Sequence, residues 1–154
     1  MTRPMTEALI DSHDAALFDL DGVVYLGSEV VPAAPATMSR LRANGVGVGF
    51  VTNNAARATT VVADQLTDMG IPAAPSDVVS SAEAVTALVA TELGQGTRVL
   101  IAATSNVDDL ARKRGLGPVH GADEHPQAVI QGYDPDIEWS RLEEAAFAVQ
   151  AGAR

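Results

Sequence analysis

Short aliphatic runs that end at polar residues recur along this chain with a helical segment between each pair. That alternation constrains the fold more than any other feature of the sequence. Ala15–Asp19 (AALFD), Val46–Val51 (VGVGFV) and Val78–Ser81 (VVSS) have the length and aliphatic content of buried parallel strands. Helical spacing over 34–43 stops at Asn44-Gly45, and a second stretch over 57–69, with apolar Val61, Val62, Leu66 and Met69, closes at Gly70 with Pro72 beyond. An alanine-rich third stretch over 82–93 ends at Gly94. Strand, helix, strand, helix, strand implies an α/β fold with a parallel sheet and right-handed crossovers. Val23–Leu26 and Val30-Val31, on either side of Gly27, predict a small hairpin or flap before the first helix.

Beyond Gly94-Gln95-Gly96 the alternation continues, with strands expected at 99–103 and 128–131 and helices at 107–114 and 137–150. The glycine-rich break and a pause over 115–126 leave room for a second domain beginning near Gly94. Whether the strands form one sheet or two stays open. The expected division is a polar tail at 1–14, a first α/β portion at 15–93 and a second at 94–154. Trp139 and Phe147, with Leu142 and Ala146, are expected on the core face of the last helix. Gly45-Val46-Gly47-Val48-Gly49 leads into Phe50-Val51 rather than a helix, so it reads as a glycine-bearing strand, not a dinucleotide loop.

Charge and cysteine usage restrict the chemistry. Twenty acidic residues against ten basic give a formal charge of −10, a surface that repels nucleic-acid phosphates and anionic lipid heads. The absence of cysteine excludes disulfides, thiolate metal sites and a cysteine nucleophile, so any metal must be held by oxygen or imidazole. The apolar runs are far short of a membrane span, and no basic region precedes one near Met1. A cytoplasmic chain without nucleic-acid or membrane partners is expected. An acidic protein can still take a small phosphate ester where a cation and backbone N–H groups neutralise it locally.

Phe18-Asp19-Leu20-Asp21-Gly22-Val23-Val24-Tyr25 stands where the first strand ends and a loop opens, the edge at which open α/β sheets bind ligands. Two carboxylates at i and i+2 past a strand end can turn toward one site, where one attacks and the other shuttles protons. Read structurally, Asp21-Gly22 is a common turn dipeptide. Phe50-Val51-Thr52-Asn53-Asn54 ends the second strand with a hydroxyl and amides that can hold a phosphate oxygen without adding charge; read structurally, it caps a helix.

The first of these strings resembles the opening motif of haloacid dehalogenase-like hydrolases, and its aromatic after the valines is similar to the branch of nagD-like and p-nitrophenyl phosphatases. The second resembles that family's second motif. The resemblance extends from Ala15 to the last residue, weakly through Val78–Ala82 and Ala128–Asp134. It implies an incomplete Rossmann-like core followed by part of an α/β cap. It further implies hydrolysis of small phosphate monoesters through an aspartyl-phosphate, with Asp19 as nucleophile and Asp21 as proton shuttle. Thr52, Asn53, Asn54 and Gly22 would surround the phosphoryl group, and Asp19 with Asp21 would hold Mg2+. Ala55-Ala56-Arg57 carries alanine where relatives often have a small hydroxyl residue.

The family's third motif supplies a lysine and its fourth an acidic pair. The single lysine, Lys113, falls at an expected helix end, and Asp134-Pro135-Asp136 reads as a turn and cap. His120 and His125, with Asp123 and Glu124, read as solvated surface. The expected partner is a small phosphorylated metabolite, and surfaces left uncovered predict self-association. Two other functions compete: a non-catalytic fragment or interaction module, and a phospho-acceptor signalling domain, for which Val78–Ser81 offers no acceptor aspartate.

Overall fold

The computed structural model describes residues 9–154. Of the tail expected at 1–14, residues 1–8 lie outside the described part, and Leu9–Ser12 forms a single 3₁₀ turn. The chain divides into two compact units, one of residues up to Thr52 with Thr59–Val79, the other of Asn53–Ala58 with Ser80–Arg154.

In the first unit β1 (Ala15–Asp19) lies parallel to β4 (Gly47–Thr52), in register from Ala15 beside Gly47 to Asp19 beside Val51; β5 (Val78–Ser80) follows on the far side of β4. The expected flap is the two-stranded hairpin β2 (Tyr25–Leu26) and β3 (Glu29–Val30). Helices α1 (Ala34–Ala43) and α2 (Thr59–Asp68) bring Met38, Val62 and Leu66 against fully buried Phe50, with Leu20, Val24 and Ile71 completing the core. Each such side chain contributes about 1.5–3 kcal/mol on burial.

Both helices pack on the Phe50 face. On the other face Leu17 is 73% exposed, with Val51 and Val79 partly so. The expectation of fully buried strands is therefore corrected: within the described residues this sheet is covered on one side only. Gly49 lies on the open face beside Leu17, where a Cβ would stand 2.7 Å from the leucine Cδ2.

The second unit is a parallel sheet in the order β7-β6-β8, with β6 (Arg98–Ala102) central between β7 (Gly117–Val119) and β8 (Ala128–Gln131). Here both faces are covered, which is why β6 is a continuous aliphatic run. Val99 and Ile101 pack with α3 (Ser81–Leu93) and α4 (Ser105–Lys113), whereas Leu100 and Ala102 pack with α5 (Trp139–Gln150). β7 sits inside the segment read as a pause; its three residues include Gly117 and Pro118, and proline is tolerated because the strand is at an edge.

The expected core face of α5 holds at Leu142, which packs against the cluster of Leu100, Ala102, Ala145 and Ala148, but not at Trp139, Ala146 or Phe147. Ala145 and Ala148 are the buried residues, small enough to bring the helix close to β6 and β8, while Trp139 is 74% exposed and Phe147 faces outward. Among the described residues no helix is long and apolar enough to cross a membrane.

Candidate active site

Asp19 and Thr52 are the last residues of neighbouring parallel strands, with Asp19 paired to Val51. They share the sheet's carboxyl edge but not a face. Asp19 and Val51 are exposed on the open side, and Thr52, two residues from Phe50, is buried on the core side.

The six residues after β1 form a tight knot. Leu20, fully buried, accepts at its carbonyl the N–H groups of Val23 (3.3 Å), Val24 (2.9 Å) and Tyr25 (3.2 Å), and the Gly22 N–H donates to the Tyr25 carbonyl at 2.7 Å. Asp21 bridges Tyr25 through its neighbours, Leu20 and Gly22, so its own carbonyl is not used in those bonds. Asp19 accepts the Leu20 N–H on Oδ1 at 2.9 Å, which fixes the carboxylate plane and leaves Oδ2 outside that bond. Gly22 has φ +83°, so Gly22→Ala is expected to destabilise the first unit by about 1–2 kcal/mol through backbone strain, read as a lowered denaturation midpoint. Open space around the glycine removes any steric clash from that result.

Asn53 and Asn54 follow Thr52 but belong to the second unit, where side chains hold the loop backbone. Ser81 donates to the Asn53 carbonyl at 2.9 Å and Asn106 to the Ala55 carbonyl at 3.0 Å. The Asn54 Oδ1 accepts the Ala56 N–H at 3.0 Å, an Asx turn that commits this oxygen to the loop itself. A cavity of about 230 Å3 is lined by Asn53, Ser81, Val85, Gln131 and Tyr133, among others. Ser81 and Asn106 were not singled out from sequence. The pattern Ser80-Ser81-Ala82-Glu83 carries a helix-start signal, and Ser80 does cap α3 by accepting the Glu83 N–H.

The donor set suits a hard cation. The Asp19 carboxylate and the Asp21 carbonyl are oxygen donors at an exposed turn, and Mg2+ characteristically takes one or two protein oxygens and keeps several waters. Among the described residues no group of three or more histidines and carboxylates is placed to hold a metal.

The remaining candidates have other work. Lys113 ends α4, as its neighbours predicted. Asp134 accepts the Asp136 N–H at 3.0 Å, closing a turn, and α5 starts only at Trp139. Glu124 accepts the N–H groups of His120 and Gly121, bonds that hold its carboxyl below the usual range, and the His120 Nδ1 meets the Arg141 guanidinium.

Residues 16–117 match the family model described as haloacid dehalogenase-like hydrolase. The chain is 39% identical over 147 residues to the D-glycerol 3-phosphate phosphatase of Mycobacterium tuberculosis, covering 96% of this chain and 41% of that protein. It is 33% identical over 141 residues to the acid sugar phosphatase of Staphylococcus aureus, covering 92% and 53%. The crystal structure of the M. tuberculosis glycerol phosphate phosphatase in complex with magnesium superposes with a TM-score of 0.89 over 96% of this chain and 44% of that one. A putative p-nitrophenyl phosphatase from Bacillus subtilis, 28% identical, gives 0.80 over 92% and 54%. The chain thus spans about half the length of the curated relatives it matches.

Proposed function

Because the chain belongs to the haloacid dehalogenase-like hydrolases, we propose that it carries the nucleophilic half of a phosphomonoesterase. In this reading residues 15–93 are the front of the catalytic core and 94–154 part of its cap. Asp19 attacks phosphorus through a carboxylate oxygen, and the bond to the leaving oxygen breaks as Asp21 gives that oxygen a proton. Asp21 then takes a proton from water, whose oxygen attacks the same phosphorus. The acyl phosphate opens, releasing inorganic phosphate and restoring Asp19. Thr52 and the amides of Asn53 and Asn54 orient the phosphoryl oxygens, and Gly22 keeps the turn that presents Asp21.

The Asp19 carboxylate and the Asp21 carbonyl would hold Mg2+, which when bound offsets the repulsion between carboxylate and phosphate. What most supports the reading is that Asp19 and Thr52 end adjacent parallel strands, since one phosphate must reach both. The substrate class proposed is a small phosphorylated polyol or sugar, in line with the glycerol phosphate and sugar phosphatases among its relatives.

The test uses a chimera in which residues 1–154 are followed by the remainder of the M. tuberculosis relative. Quenched during turnover of glycerol 3-phosphate and reduced with borohydride, it is expected to carry homoserine at position 19, the product of an aspartyl-phosphate. Turnover with the label at another residue, or with none, would exclude Asp19 as nucleophile.

A further inference from the structure

The loop Asn53–Ala58 belongs to the second compact unit, and two side chains from elsewhere in that unit take hold of its backbone. Ser81, the first residue of α3, donates its hydroxyl to the Asn53 carbonyl at 2.9 Å. Asn106, the second residue of α4, donates from Nδ2 to the Ala55 carbonyl at 3.0 Å. Neither donor is spent on its own helix. Ser80 already caps α3 by accepting the Glu83 N–H, and asparagine inside a helix is a poorer helix former than alanine. The Ala55 methyl adds a third anchor, buried with Ala82, Val107 and Ile130 and 3.5 Å from where a Cβ on Gly132 would stand.

These anchors decide where the loop's N–H groups point. Among the described residues no peptide bond is cis, and across a trans peptide the C=O and the following N–H point in opposite directions. Turning the Asn53 carbonyl to Ser81 therefore turns the Asn54 N–H away from α3. Turning the Ala55 carbonyl to Asn106 turns the Ala56 N–H away from α4, and that N–H donates to the Asn54 Oδ1 at 3.0 Å. The groups act in series. Asn106 orients the Ala56 N–H, the Ala56 N–H holds the Asn54 side chain, and Ser81 sets the peptide that carries the Asn54 N–H.

We propose that Ser81 and Asn106 are positioning residues for phosphoryl transfer, acting through the loop backbone rather than on the substrate. The inference rests on the phosphomonoesterase reading, in which the amides of Asn53 and Asn54 meet the phosphoryl oxygens. Donors that stabilise a transition state must be aimed before its charge develops, so a loop peptide left to rotate forfeits turnover more than ground-state binding.

Ser81→Ala, Ser81→Thr and Asn106→Asp test the proposal, the last because a carboxylate keeps the shape of the amide but cannot donate. In the 154-residue chain, amide hydrogen exchange followed by NMR should show Ala56 exchanging about tenfold faster or more in Ser81→Ala and Asn106→Asp. Ser81→Thr should match the parent, and the Val99–Ala102 amides of β6 should be unmoved in all three, which shows the unit still folded. In the chimera the two variants without a donor should lose about tenfold in kcat for p-nitrophenyl phosphate at nearly constant KM, whereas Ser81→Thr should keep it. Borohydride should still label Asp19 in each. Unchanged Ala56 exchange, or a parent-like kcat in both donor-less variants, would overturn the positioning role while the label at Asp19 upholds the phosphomonoesterase reading. A loss in Ser81→Thr as large as in Ser81→Ala would overturn the role of the hydroxyl. A parent chimera that turns over without the label would remove that reading and this inference with it.

Discussion

Asp19→Asn in the chimera is expected to lower turnover of phosphate monoesters by about 10⁴-fold or more, with KM little changed. An amide oxygen is a far weaker nucleophile than a carboxylate, and removing a nucleophile costs catalysis that binding alone does not recover. The fold should survive, because the one bond drawn on by the local structure, from the Leu20 N–H to Asp19 Oδ1, can equally be accepted by an asparagine oxygen. The measurement is steady-state kinetics beside a thermal denaturation curve. A variant that keeps its melting midpoint and turns over within tenfold of the parent would end the assignment of Asp19.

The 154-residue chain alone is expected to hydrolyse p-nitrophenyl phosphate about 10⁴-fold or more slowly than the chimera. Removing one transition-state group typically costs roughly a hundredfold to a thousandfold, and on the proposed reading neither the family's lysine nor its acidic pair is matched in these 154 residues. The single lysine, Lys113, is the last residue of α4, and the acidic pair Asp134 and Asp136 is folded into a turn of its own. Chelation of Mg2+ should silence the chimera and leave the residual rate of the chain alone almost unmoved. Comparable rates would mean that Lys113 or another cation of this chain neutralises the phosphoryl oxygens. In the same preparation the open sheet face should show as concentration-dependent mass in sedimentation, since Leu17, Val51 and Val79 form an apolar patch left exposed among the described residues.

Much of this architecture was legible because the relevant signals are local. Ala15–Asp19 and Ala34–Ala43 begin and end where apolar spacing, proline and the Asn44-Gly45 stop place them, and β8 was read to the residue. Burial was less legible, because it depends on which elements lie nearby. The composition of AALFD says strand, yet only the neighbouring helices decide that Phe18 packs inward while Leu17 meets water. For α5 hydrophobic bulk pointed to a face bearing Trp139, Leu142, Ala146 and Phe147, of which only Leu142 packs on the core. Close approach to β6 and β8 selected the alanines instead. β7 escaped because a three-residue edge strand containing glycine and proline carries no periodic signal. At the candidate site the sequence marks Asp19, Asp21 and Thr52 by their place at strand ends, but it gives no hint that Ser81 and Asn106 grip the loop after Thr52. Those bonds run 28 and 51 positions along the chain.

The pairing of β1 with β4 also orders events during synthesis. Asp19 leaves the ribosome on a strand whose sheet partner among the described residues, β4, ends at Thr52, about 33 residues later. At roughly 5–20 residues per second, translation separates the two by about 2–7 seconds. Through that interval Leu17 and Phe18 wait unpaired, while the Leu20–Tyr25 knot, closed by bonds spanning no more than five residues, can already form. The turn holding Asp21 is thus available before the strand holding Asp19 has β4 to join, so the loop that carries one candidate carboxylate can take shape before the sheet edge that carries the other.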